Sequence, residues 1–168
     1  YNDINEHYRY MTSWFQNSSK PIDEESTHMY GSFILFQYID EHLGGPETIR
    51  AIWEESRTRA NSVNDISFIS IDAALSDNGS SFNSALNNMR IANRIMSNHP
   101  NAEPYTYKEA DYYPTVGPFE IANLAFNNDP IIYEQNSLSL YSSNYIKLNA
   151  SSPARVFIEN KVVTPLSF

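Results

Sequence analysis

The 168-residue sequence contains no cysteine, which excludes disulfides, thiolate metal sites and cysteine nucleophiles together. Glycine is scarce, with five in the chain. No Gly-x-Gly-x-x-Gly, P-loop or Gly-x-Ser-x-Gly elbow can be traced, so phosphate-cradling loops and the serine-hydrolase turn are not expected. Basic residues are few and unclustered: 11 Lys and Arg stand against 20 Asp and Glu, for a net charge of −9. Phosphate backbones are held by basic patches, so nucleic acid is not an expected partner. No apolar run approaches the roughly 18 residues that a membrane-crossing helix needs, so no membrane span is expected. There is also no His-Glu-x-x-His: the four histidines, His7, His28, His42 and His99, never pair at i, i+4 on a helix.

What is present argues for a packed core. Aromatics make up 14% of the chain, with Tyr 12 and Phe 9, which a disordered segment would not carry. The acidity is spread along the sequence and reads as a solubility feature. Asn-x-Ser acceptors at Asn17, Asn78 and Asn149 are about what the composition gives by chance. The Asn/Ser/Tyr-rich, Lys-poor composition suits an extracellular protein. The sequence opens on Tyr1 rather than Met, and more polypeptide is expected upstream.

The first part has helical periodicity. Residues 1 to about 16 place Ile4, Tyr8, Met11 and Phe15 in phase, with Asp3 and Glu6 as a variant capping box. After an acidic loop at 23–27, residues 28–43 form a nearly all-apolar stretch, the pattern of a helix buried on most sides. Gly44 is its natural C-terminal cap, and Pro46 with Glu47 opens the next helix. Ile49, Ile52 and Trp53 give that helix an apolar stripe, which fades from Ser56 to Asn64. Two more helices are expected, at about 65–76 (Phe68, Ile71, Leu75) and 81–97 (Phe82, Leu86, Met89, Ala92, Met96), the second capped by Ser80 or Ser81. Asp77-Asn78-Gly79 is the turn between them.

The pattern then changes. Prolines at 100, 104, 114, 118 and 130, interleaved with tyrosines at 105, 107, 112 and 113, forbid long helices. Short strand-like runs follow at 131–133, 137–141, 144–148, 155–159 and 162–163. The expected fold class is α+β: a helical subdomain of about five helices over 1–98, a Pro/Tyr-rich linker over 99–130, and a short, incomplete antiparallel β-sandwich region over 131–168. So few strands leave open edges, and the upstream polypeptide or another chain is the expected partner that completes the sheet.

Two residues stand out as site candidates. His28 and Tyr30 lie at the mouth of the buried helix, where a rigid backbone can present side chains to a cleft. A tyrosine there can donate a hydrogen bond to a developing oxyanion, and a protonated histidine can do the same. The alternative is that His28 caps the helix and Tyr30 packs in the core. Adjacent carboxylates at Asp23, Glu24 and Glu25 diverge from one another and read as a solvated loop rather than a glycosidase pair. The tyrosines from 105 to 113 could form a sugar- or peptide-binding surface, or pack their rings onto the domain they leave. His42 sits where a helix dipole favours it.

The segment His28-Met29-Tyr30-Gly31-Ser32-Phe33, followed by Leu43-Gly44 and Ile49-Arg50-x-x-Trp53-Glu54, resembles exported zinc metallopeptidases of the gluzincin type. Asp72-Ala73-Ala74-Leu75 with Gly79-Ser80-Ser81-Phe82, and later Tyr112-Tyr113-Pro114 and Ser143-Asn144-Tyr145-Ile146, are similar to their following helices and to the entry of a β-sandwich. Zinc aminopeptidases of the same clan have a similar tyrosine, helix and Leu-Gly-Gly-Pro ending, in a register shifted by about one residue. The resemblance implies that Tyr30 is an oxyanion donor and that His28 is a neighbouring cleft residue. It also implies zinc as the cofactor of an intact parent hydrolase, with the metal ligands and general base upstream of Tyr1. No metal ligand is expected in this chain, which by itself is not a complete enzyme.

The expected identity is thus a fragment of a secreted metallopeptidase-like protein acting on peptides. The alternative is a non-catalytic extracellular surface, filament or carbohydrate-binding module on the same scaffold, assembling through its strand edges.

Overall fold

Apolar residues spaced three and four apart need a helix to reach one side, and among the described residues of the computed structural model five α-helices satisfy that need. The structure describes residues 6–60, 67–115, 117–126, 129–135, 137–151, 153 and 155–157. The helices are α1 (Met11–Gln16), α2 (Phe33–His42), α3 (Gly45–Arg59), α4 (Ser67–Ser76) and α5 (Phe82–Ile95). α2 is the centre: Ile34, Leu35, Tyr38 and Ile39 are all buried, and it packs on both α3 and α5. Around it close Tyr8, Met11, Phe15, Ile71, Leu75, Phe82, Leu86, Met89 and Ala92, the positions whose spacing predicts burial.

The elements begin and end for local reasons. Gly44 adopts φ +104°, and a Cβ there would lie 2.2 Å from Thr48 Oγ1. That hydroxyl is otherwise engaged, donating to the Leu43 carbonyl at the end of α2 (2.7 Å) and accepting from Asn78 Nδ2 (3.0 Å). The α2–α3 corner is therefore held by glycine conformation and one side-chain cap. Ser81 caps α5 by accepting from the Ser84 N–H, and Asp72 on α4 accepts from the Phe82 N–H at 2.7 Å.

Several expectations change in detail. The first helix begins as a 3-10 segment over Glu6–Tyr10 before α1, and Asp3 and Ile4 lie outside the described residues. The mouth of the buried helix is likewise 3-10, over Thr27–Ser32. α3 does not fade at Ser56 but continues to Arg59. Its last turns are held by local pairs rather than an apolar stripe: Arg59 meets Glu55 at 3.0 Å, and the Ser56 hydroxyl donates to the Ile52 carbonyl. Trp53 is off the buried face and 71% exposed.

After Ile95 the described residues contain no further α-helix, and the helix-rich α+β class holds. The Pro/Tyr segment is fastened to the helices. Tyr107 is fully buried, Tyr38 donates to the Pro104 carbonyl (3.2 Å), and His42 contacts the Thr106 carbonyl (2.8 Å) and Glu103 (3.4 Å). The Lys108 N–H donates to Glu41, and Tyr8 donates to Glu109.

Two strands are described, β1 (Ala122–Phe126) and β2 (Ile146–Ala150). β1 lies ahead of Pro130, where no strand is expected from the sequence. The two pair in parallel, Ala122 opposite Ile146 through Phe126 opposite Ala150, so the expected antiparallel pairing is not found between them. Antiparallel neighbours are joined by tight turns, whereas the long excursion from 127 to 145 allows β2 to return in the same direction as β1. Ile131–Tyr133, residues 137–141 and residues 155–157 are not strands. The runs expected at 158–159 and 162–163 fall outside the described residues.

Candidate functional site

The 3-10 segment Thr27–Ser32 decides what His28 and Tyr30 can do. Three residues per turn bring i and i+3 onto one side. His28 and Gly31 face inward, both buried, while Thr27 and Tyr30 face outward. Ser26 starts the segment, its hydroxyl accepting from the His28 N–H at 3.1 Å, and Ser32 Oγ closes it on the Met29 carbonyl at 2.6 Å. Serine, and not His28, is therefore the cap.

The inward side is a close contact with α1. His28 stacks on Trp14, ring centroids 4.3 Å apart and planes 18° apart. A Cβ on Gly31 would lie 2.5 Å from that of Trp14, so only glycine allows the backbone this near. Neither ring nitrogen of His28 has a hydrogen-bond partner among the described residues. Burial pushes the imidazole pKa below its ordinary value; Lys20 adds to the shift and Glu24 opposes it.

The outward side carries Tyr30. Half of this residue is exposed, and its ring stacks on Tyr10 at 4.9 Å. Arg9 lies over that same Tyr10 ring, its guanidinium 4.7 Å from the ring centre and its Nη2 donating to the Tyr10 hydroxyl at 2.5 Å. The Tyr30 hydroxyl has no hydrogen bond among the described residues. His28 and Tyr30 thus share a segment but not a cleft: one supports the scaffold from inside, the other reaches solvent beside Tyr10 and Arg9.

The described residues contain no group of three or more His, Asp or Glu side chains able to hold a metal ion. They do not supply a zinc ligand set. None of the described helices is long and apolar enough to cross a membrane. Among the tyrosines from 105 to 113, Tyr107 and Tyr113 are buried, Tyr105 is partly so, and Tyr112 is 77% exposed. Burial holds the Tyr107 and Tyr113 phenols well above their ordinary pKa and pushes Tyr38 up to about 12, so these hydroxyls stay protonated.

Trp14, Tyr10 and Arg9 are the participants that the residue pattern of the buried helix did not announce. Trp14 sits three residues after Met11 and one before Phe15, so its burial follows from the α1 period. Its pairing with His28 depends on tertiary packing. Compared with known protein families, curated proteins and solved structures, the chain matches none.

Proposed function

We propose that this chain is the part of an exported metallopeptidase-like protein that flanks its catalytic centre, with Tyr30 as the hydrogen-bond donor to the carbonyl oxygen of a bound peptide. The reading is supported by the placement of Tyr30. Its backbone is fixed between a Ser26 cap and a buried helix, while the residue is half exposed and its hydroxyl has no hydrogen bond among the described residues. A donor held that way loses little freedom when it meets a developing negative charge. Zinc has no ligand set among the described residues, so on this reading it is held by other residues of the intact protein. In that intact protein, Tyr30→Phe should lower kcat on peptide substrates by about 100-fold or more with little change in KM. Unchanged turnover would remove Tyr30 from the chemistry.

A second reading, an extracellular assembly module, has its own observation. Every residue of β2 is exposed, and Ile121, Ile146 and Leu148 keep about 40% of their surface in solvent. Parallel strands are ordinarily covered on both faces, and open edges accept further strands. Sedimentation across a concentration series separates the readings: oligomers lost on deleting residues 130–168 favour assembly, and a monomer at every concentration removes it.

A further inference from the structure

A small cavity lies behind His28, away from Tyr30, with a volume of about 20 Å³. It is a partly open recess between α1, α5 and the segments around Lys20 and Tyr145, with Trp14, His28, Arg90 and Asn93 in its wall. Its chemistry is one-sided. Two cationic residues and an imidazole line it, and no carboxylate does, in a chain whose net charge is −9. Lys20 is compensated, its ammonium 3.1 Å from Glu24. Arg90 is not: its Nη1 donates to the neutral Asn87 amide oxygen at 3.1 Å, its Nη2 is buried without a partner, and no carboxylate pairs with it among the described residues. The His28 ring, 3% exposed, brings two more unpartnered nitrogens to the same wall.

Buried polar groups without partners are rare, and a desolvated cation without a counter-charge is costlier still. A cavity of this size exceeds the roughly 10–15 Å³ needed for one water-sized occupant. A water would serve the hydrogen bonds but bring no negative charge to the partly buried guanidinium, which no carboxylate pairs among the described residues. We infer that the cavity binds a single small anion of chloride size, held by Arg90 with His28 donating from one ring N–H. Tyr145 fixes the guanidinium-bearing turn by donating to the Arg90 carbonyl at 3.0 Å. The site is independent of the role proposed for Tyr30, which lies on the opposite side of the segment.

The test is thermal unfolding of the full chain in sodium chloride, bromide and gluconate at matched ionic strength, with anomalous diffraction from bromide-soaked crystals. Chloride and bromide should raise Tm in a saturable way that gluconate, too large for the cavity, does not reproduce. The rise should vanish in Arg90→Gln, and a bromide peak should lie between Arg90 and His28. A Tm indifferent to the anion, or a chloride response kept in Arg90→Gln, overturns the site. If Arg90→Gln does not fold, the diffraction decides: a bromide peak in the cavity supports the anion, and a cavity holding water alone refutes it.

Discussion

His28 lies flat against Trp14, 4.3 Å from ring centre to ring centre, with both of its nitrogens cut off from any partner among the described residues. This pairing sets how the fold should respond to acid. The native imidazole resists protonation because burial penalises its charged form, whereas the unfolded chain accepts a proton near pH 6.5.

The expected consequence is a stability that is full above about pH 6.5 and declines as pH falls below it, since the unfolded state then binds a proton that the native state refuses. Lys20 and Glu24 face the ring as an ion pair and Arg90 shares its cavity, so the comparison must keep all three. His28→Phe preserves the stack on Trp14 and should flatten the slope between pH 7 and pH 5. Urea unfolding of both proteins across that range checks it. Equal slopes would assign the acid sensitivity to carboxylates elsewhere.

Gly31→Ala should destabilise the chain by about 1–3 kcal/mol, because the added methyl meets Trp14 Cβ at 2.5 Å and must push α1 away from the 3-10 segment. Denaturant unfolding at neutral pH measures it. A variant as stable as the parent would mean that the two segments are less tightly apposed than this distance requires.

Tyr107→Phe should cost about 1–3 kcal/mol without changing the fold. The phenol donates to Asn93 Oδ1 at 2.7 Å, and both residues are essentially fully buried, so removing the donor leaves a buried acceptor without its partner. The double variant Tyr107→Phe/Asn93→Leu should recover part of the loss. Additive losses would show that the two groups are not coupled.

What could be read from the sequence was whatever depends on near neighbours. The periods that bury Tyr8, Met11, Phe15, Ile71, Leu75 and Leu86 are helical and local, and so are the Ser81 cap and the glycine corner at Gly44. Trp53 misled because an aromatic in phase with Ile49 and Ile52 reads as core, yet α3 turns it outward, and only the arrangement of neighbouring helices decides that. The continuation of α3 past Ser56 was hidden for the opposite reason: its support comes from Glu55–Arg59 pairing, which an apolar count does not register. Parallel pairing of β1 with β2 joins residues more than twenty apart, and no local alternation encodes strand direction. For the candidate site, the placement of His28 and Tyr30 at the start of the buried helix was legible, but whether Tyr30 packs in the core or faces solvent was not, and the structure leaves it half exposed. The inward turn of His28 was not legible either, because it follows from a 3-10 rather than an α-helical start.

The chain has two tryptophans, and the fold gives them opposite surroundings: Trp14 is 7% exposed and capped by an imidazole, Trp53 is 71% exposed on α3. The protein therefore carries two intrinsic optical probes that a quencher can separate. Acrylamide reaches Trp53 first and leaves the emission of Trp14, the ring in contact with His28. Light from that second ring reports directly on the imidazole's protonation and on events in the cavity behind it, with no label attached.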